Sequence, residues 1–297
     1  MNIYDDMATT WDDGRRVERA RIVAQEIRKH MPNPCARGLE FGCGTGLISF
    51  FLQDAIDEIV LIDLSQGMID VLRKKIRESG IVHMHARQMD VLNESFGMEQ
   101  FDFLYTSMAL HHVREIDAVL RRLHACLALG ATVCVVDMGK DDGSFHKNEL
   151  DFAGHHGFEM EEIRTAFERT GFEVQRVDTF YRAEKVIDGH NVPYSLFCLC
   201  ATKRDLPREA VIAFARTVDA IRAEQALAGA GLAPRVMPLP SAIRAGCGIC
   251  LRVDIDHRGD ALDVLAQSGL THAGLYMRYV ADGGSRYVVC ADELPPV

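Results

Sequence analysis

Leu39-Glu40-Phe41-Gly42-Cys43-Gly44-Thr45-Gly46 decides how the rest of this chain is read. A short apolar run ends in three alternating glycines, and Leu47 to Leu52 then continues with helical character. Glycines at a strand end that opens into a helix let the backbone approach a ligand without Cβ collisions. The spacing is G-x-G-x-G, which differs from the G-x-G-x-x-G fingerprint of dinucleotide binding. Alone, such a triplet is turn and cap chemistry as readily as a binding loop. Its surroundings add weight. Asp63 ends the next β-branched run, Glu58 to Ile62, where a carboxylate can hold a pair of hydroxyls. Asp90 follows a third run, Val82 to Met89, and Phe101 to Tyr105 forms a fourth.

Helical spacing fills the gaps between these runs. Arg15 to His30 carries apolar residues at Val17, Ala20, Ile22, Val23 and Ile27 before Pro32 and Pro34 stop it. Ser65 to Ser79 is a second helix with Ser65 as its N-cap, and Ile116 to Leu129 a third. Strand Thr132 to Asp137, helix Met160 to Thr170, strand Phe172 to Thr179 and strand Leu196 to Thr202 follow. Alternation of this kind predicts an α/β fold, a mostly parallel sheet with helices on both faces. A boundary falls near Lys203 to Pro207, after which no lysine occurs. The domains expected are therefore 1–204 and 205–297. Beyond the boundary come strand Val211 to Arg216, helix Thr217 to Ala230, strand Pro234 to Pro238, strand Ile249 to Ile255, helix Gly259 to Gln267 and strand Gly274 to Val280. That βαββαβ order predicts a small ferredoxin-like α+β domain. Asp282 to Val297 is read as a loop or an extra edge element.

The 297 residues are 48% hydrophobic and 26% charged, with a formal charge of −10. Such acidity argues against coating nucleic acid or an anionic membrane. The longest apolar candidate, Val119 to Val136, is broken by Arg121, Arg122 and His124, and the acidic opening is no secretory signal. A cytoplasmic protein is expected. Its nine scattered cysteines then stay mostly reduced, and only Cys247 and Cys250 have C-x-x-C spacing.

Together the glycine loop, Asp63, Asp90 and the fourth strand resemble a class I S-adenosylmethionine-dependent methyltransferase over roughly Tyr4 to Thr202. The resemblance implies a Rossmann-like sheet and S-adenosyl-L-methionine as cofactor. It implies that Gly42, Cys43, Gly44 and Gly46 pass the methionine moiety and that Glu40 meets its amino group. It also implies that Asp63 holds the ribose, with Leu64 and Met68 packing on the adenine and Asp90 and Val91 meeting its edge and other face. Thr106 and Ser107 would line the methyl-donor side, and Tyr4 and Trp11 would cap the cofactor, with a cation–π contribution of about 0.5–2 kcal/mol. Trp11 as plain packing, and a nicotinamide enzyme with a misplaced third glycine, are the readings weighed against it.

The methyl acceptor is less legible. His111, His112, His155, His156 and Tyr181 are candidate bases, and a structural role is favoured for the histidines. Ala109-Leu110-His111-His112 resembles a run of the small-molecule branch, whose acceptors vary. Cys35, Cys43, Cys198 and Cys200 raise an arsenite-methylating alternative, since soft arsenic favours several thiolates, but Cys198 and Cys200 share a strand face as readily by packing.

In the second domain, Val236 to Cys250 resembles the selenium/sulfur-carrier-like family over about Ala210 to Tyr279, on Pro238, Pro240 and Gly246-Cys247-Gly248. A cysteine between glycines is accessible, and neighbouring amides with Arg244 favour its thiolate. Cys247 is thus the candidate carrier of a persulfide or selenide and, with Cys250, a candidate dithiol. A tight turn with an incidental cysteine and a metal site are the competing readings, and no metal is called for. The expectation is methyl transfer to a small-molecule acceptor, with thiol, hydrosulfide or selenol favoured and Cys247 and Cys250 taking part. Its alternatives are a conventional O-, N- or C-methyltransferase with a tail domain for assembly and a cofactor-binding redox sensor without turnover. The partners expected are the acceptor, a second copy of the chain or a sulfur- or selenium-transfer protein, with no nucleic acid and no membrane.

Overall fold

The computed structural model describes residues 3–149, 152–204, 209–243, 248–281 and 284–290. The chain divides into two compact units, Met1–Arg204 and Asp205–Val297.

The first unit opens with α1 (Ile3–Met7) and α2 (Gly14–Arg28). Then come β1 (Arg37–Phe41), α3 (Leu47–Leu52), β2 (Glu58–Asp63), α4 (Gln66–Ser79) and β3 (Met84–Gln88). β4 (Phe101–Ser107), α5 (Ile116–Ala125), β5 (Leu127–Met138), α6 (Met160–Arg169), β6 (Phe172–Ile187) and β7 (His190–Lys203) complete it. Its seven strands lie in the order β3-β2-β1-β4-β5-β7-β6, with β7 antiparallel to both neighbours. Successive residues along the buried strands serve opposite faces, as pleating requires. Leu39, Val60, Ile62, Leu104, Val133 and Val135 pack under α5 and α6. Ile59, Leu61, Phe103, Tyr105, Cys134 and Val136 pack under α2, α3 and α4. β1, β2, β4 and β5 run parallel, which places their C-terminal ends at one end of the sheet.

Two boundaries differ from expectation. The helix expected to run to Leu129 stops at Ala125, and β5 starts at Leu127, which pairs with Phe101 before the register shifts at Phe103 and Thr132. Gly130, at φ +79°, supplies the left-handed residue that this irregularity needs. β6 extends past Thr179 to Ile187 because Asp188 (φ 51°) and Gly189 (φ 78°) form a tight turn that pairs it with β7 along its whole length.

The second unit comprises β8 (Glu209–Ala213), α7 (Thr217–Gly229), β9 (Arg235–Pro238), β10 (Ile249–Asp254), α8 (Arg258–Gln267), β11 (Gly274–Ala281) and β12 (Gly284–Val289). Its sheet runs β12-β11-β8-β10-β9, antiparallel throughout. Ala220, Ala223 and Leu227 of α7 and Ala261 and Leu265 of α8 cover Ala210, Ile212, Leu251 and Val253. This is the expected βαββαβ arrangement, with β12 added at the edge. No helix among the described residues is long and apolar enough to cross a membrane.

Candidate functional site

β1 delivers the chain to a loop whose three glycines all have positive φ: Gly42 at +66°, Gly44 at +53° and Gly46 at +78°. A Cβ on Gly42 would lie 2.3 Å from the Ala109 Cβ, so the strand end after β4 closes directly on this loop. The loop is tied to β2 by its own amides. Cys43 N donates to Ile62 O at 3.0 Å and Gly44 N to Asp63 Oδ2 at 2.8 Å. Asp63 Oδ1 accepts from Ser65 N at 2.8 Å, and Ser65 caps α4 as expected. Each Asp63 oxygen keeps a further lone pair. Burial raises the Asp63 pKa, against the amides of Ser65, Gly44 and Leu64.

The segment before α2 lies over the loop. Trp11 Nε1 is 3.8 Å from where a Gly44 Cβ would stand, and the Arg16 guanidinium sits 4.2 Å from the indole centroid. Tyr4 packs edge-on against Trp11, 5.8 Å between centroids. Two carboxylates hold the segment down. Asp5 accepts from Ser65 Oγ at 2.6 Å and Gly67 N at 2.9 Å. Asp12 accepts from Thr45 Oγ1 at 2.5 Å and Lys75 Nζ at 2.6 Å. Sequence reasoning missed both, although each belongs to the acidic opening stretch that it noted for another purpose.

After β4 the chain builds the other side. Thr106 is 1% exposed, and its Oγ1 has no hydrogen-bond partner among the described residues. Met108 adopts φ 55°, rare for a side chain of that size. Asp137, at the end of β5, accepts from Leu110 N at 2.9 Å, Met138 N at 2.7 Å and His111 Nδ1 at 2.5 Å. His111 is thereby fixed in orientation by Asp137. His112 faces Tyr4, whose hydroxyl is 3.3 Å from both ring nitrogens. His146, unforeseen, brings a third imidazole: ring nitrogens of His111, His112 and His146 all lie within 4.8 Å of one another. Phe152 stacks on His146 at 4.0 Å. Burial first, then the neighbouring imidazoles, pushes His112 and His146 each down to about 3. Glu149, 4.0 Å from His146, is pushed up by burial. His155 belongs to the same corner, its amide donating to His111 O at 2.6 Å. Tyr181 does not: it packs beside Tyr194 on the hairpin of β6 and β7.

The remaining expected residues divide. Leu64, next to Asp63, is 58% exposed, while Met68 is buried. Val91 is buried in the sheet's core. Asp90 uses its carboxylate in its own turn, accepting from Leu92 N at 3.0 Å and Asn93 Nδ2 at 2.8 Å. Glu40 is fully buried and bonded to Ser49 Oγ, which meets Tyr105 OH at 2.6 Å; burial pushes its pKa up to about 8. Its described contacts are thus within the fold. The Cys43 thiol is buried and held well above its ordinary pKa by burial, Asp63 and Glu40. A positive-φ loop, a half-open carboxylate, an exposed leucine and an unpartnered buried hydroxyl fit the cationic nucleoside that the resemblance implies.

In the second unit, Arg244 to Cys247 lie outside the described residues. Their loop is closed at its base by Leu239 N donating to Gly248 O at 2.9 Å. Cys250 is 0% exposed in β10, packed with Val211, Ala213 and Ile243, its thiol 3.8 Å from the carbonyls of Met237 and Pro238. Such burial shields the Cys250 thiol from solvent.

Comparison with known proteins follows these lines. Residues 39–130 match the family model "Methyltransferase domain", and residues 209–277 match "Putative Se/S carrier protein-like". An uncharacterised methyltransferase of Schizosaccharomyces pombe is 35% identical over 144 residues, which is 43% of this chain and 50% of that protein. The ubiquinone/menaquinone biosynthesis C-methyltransferase UbiE of Vibrio vulnificus is 31% identical over 111 residues, 36% of this chain and 43% of UbiE. The chain spans half or less of the length of these curated relatives. A SAM-dependent methyltransferase structure from Aquifex aeolicus superposes with a TM-score of 0.52 at 16% identity, covering 67% of this chain and 98% of the other. The chain carries a methyltransferase domain, folded as the S-adenosylmethionine-dependent enzymes are, followed by a Se/S-carrier-like domain.

Proposed function

We propose that the first unit transfers a methyl group from S-adenosylmethionine to a small-molecule acceptor, and that the favoured acceptor is a thiol, hydrosulfide or selenol linked to Cys247. The observation that carries the reading is the cradle formed by the Gly42 to Gly46 loop, the Asp63 carboxylate and the Trp11 indole over Gly44. Asp63 is assigned the ribose hydroxyls, Leu64 and Met68 the adenine, and Thr106 Oγ1 the methyl-donor side. When bound, the cofactor supplies an electrophilic methyl group on a sulfonium sulfur. The protein's part is to align donor and acceptor and exclude water, which can supply much of the rate.

The acceptor class is argued from the imidazoles. With pKa values held near 3, His112 and His146 are neutral at pH 7 and too weakly basic to take a proton from an alcohol. A thiol, with an ordinary pKa of about 8.5, brings its own anion to the site. The match to the Se/S-carrier-like family supports the same class, with Cys247 as the residue that carries the chalcogen. A conventional acceptor is the second reading, and the likeness to a C-methyltransferase supports it.

Incubation with S-adenosylmethionine and a panel of sulfide, selenide, small thiols, phenols and amines, followed by S-adenosylhomocysteine release, tests both. Turnover confined to chalcogen nucleophiles, reduced by Cys247→Ser, is expected. Turnover on phenols or carbon acids that ignores Cys247 would establish the second reading. Cofactor binding without turnover on any acceptor would make the unit a sensor.

A further inference from the structure

The arsenic alternative grouped Cys35 and Cys43 with Cys198 and Cys200. The fold separates them and assembles a different set. β5 and β7 run antiparallel with Cys134 opposite Cys200, and Cys198 stands two residues from Cys200 on the same face. All three thiols belong to the core under α2. Cys134 Sγ lies 3.6 Å from Cys198 Sγ, and Cys198 Sγ lies 3.8 Å from Cys200 Sγ. Zinc–sulfur bonds of about 2.3 Å in a tetrahedron set sulfurs about 3.8 Å apart, the separation that Cys198 and Cys200 already show.

A third donor comes from another element. His30 follows the last turn of α2, and a ring nitrogen lies within 4.8 Å of both the Cys198 and Cys200 thiols. Its Nε2 is 3.3 Å from Glu26 Oε1, and Lys29 Nζ holds the other Glu26 oxygen at 2.6 Å. A buried carboxylate on one imidazole nitrogen is the outer contact that orients metal-binding histidines. The His30 side chain is 18% exposed, which gives an ion a path in, whereas Cys134 and Cys198 are sealed behind it.

We propose that Cys198, Cys200 and His30 form a site for a thiophilic divalent cation, zinc(II), that clips the end of α2 to β7, with the Cys134 thiol beside Cys198. It is distinct from the cofactor cradle and independent of the acceptor. Binding forms two metal–sulfur bonds and one metal–nitrogen bond, leaves the fourth position to water, and the protons still on the thiols leave to solvent.

Cobalt(II) titration of the reduced, chelator-stripped full chain tests it. One equivalent is expected to give a thiolate-to-metal charge-transfer band and tetrahedral d–d absorption, both bleached by one equivalent of zinc. Cys198→Ala with Cys200→Ala should abolish the bands, Cys247→Ser should retain them, and Glu26→Gln should weaken zinc binding by about 10- to 100-fold. Absence of the charge-transfer band, its persistence in the double variant or its loss in Cys247→Ser would overturn the site. Should the double variant fail to fold, His30→Ala decides: zinc affinity is expected to fall at least tenfold with the fold retained, and unchanged zinc affinity refutes the site.

Discussion

The loops after β1 and β2 and the loops after β4 and β5 meet at one end of the same sheet, yet they are assembled in opposite ways. The first pair is nearly self-contained. Gly44 and Asp63, nineteen positions apart, bond directly, and Ser65 closes the same turn. The second pair draws on the whole unit: Tyr4 and His112 are 108 positions apart, and Asp137 and His146 come from β5 and the chain after it. Local bonds can fix a cradle for an invariant nucleoside. A surface that must suit one acceptor is gathered from distant segments, each free to vary without disturbing the cradle.

If the cradle is that self-contained, Glu40 belongs to its scaffold as a neutral acid. The fold holds its pKa near 8, against 4.5 ordinarily, chiefly by burial and partly offset by Ser49. The unfolded chain therefore releases this proton near pH 4.5 while the folded chain keeps it. The contribution is fully present below about 4.5 and is lost as pH climbs toward 8. Denaturant melts at pH 5 and pH 8 should show the wild type losing stability relative to Glu40→Gln by an amount on the order of 4 kcal/mol. Parallel pH profiles for the two proteins would mean that Glu40 is ionised and available to the cofactor's amino group, as the sequence led one to expect.

Asp63→Ala strikes the cradle itself. It removes the carboxylate that anchors Gly44 and Ser65 as well as the one assigned to the ribose. Charge-assisted hydrogen bonds of about 1.5–3 kcal/mol each predict a loss of S-adenosylhomocysteine affinity of roughly 100-fold or more, measured by calorimetry. Retained affinity would detach the nucleoside from this end of the sheet.

These two regions also explain what could be read in advance. Gly42, Gly44, Gly46, Asp63 and the cap at Ser65 are visible because backbone geometry demands particular residues at fixed spacing. The succession of strands and helices along the first unit followed from alternating periodicity, and the βαββαβ order of the second unit from the same signal. Asp5, Asp12, Asp137 and His146 were not legible as site residues, since nothing local requires a carboxylate or an imidazole there; each matters through a partner far along the chain. Asp90 reads two ways for the converse reason. Its position after β3 suits both a ligand contact and an Asx turn, and its oxygens serve the turn. The burial of Cys250 was not legible either, because C-x-x-C says nothing about which face of a strand the second thiol takes. Cys134 and Cys200 became neighbours only through the antiparallel insertion of β7 beside β5.

Tyr4 sits where the two regions touch, and it gives the finest test of the contrast. Sequence placed it over the cofactor, whereas its hydroxyl points to His112 at 3.3 Å and its ring leans on Trp11. Tyr4→Phe keeps the ring and removes one neutral hydrogen bond, worth about 1 kcal/mol, or roughly fivefold. If Tyr4 serves the acceptor side, that factor appears in turnover with a small thiol, while cofactor affinity changes less than about twofold. Trp11→Ala, which strips the indole from above Gly44, should show the reverse, weakening the cofactor more than it slows turnover at saturation. A fall in cofactor affinity for Tyr4→Phe with turnover unchanged would return Tyr4 to the cradle and move the border between the two regions to His112.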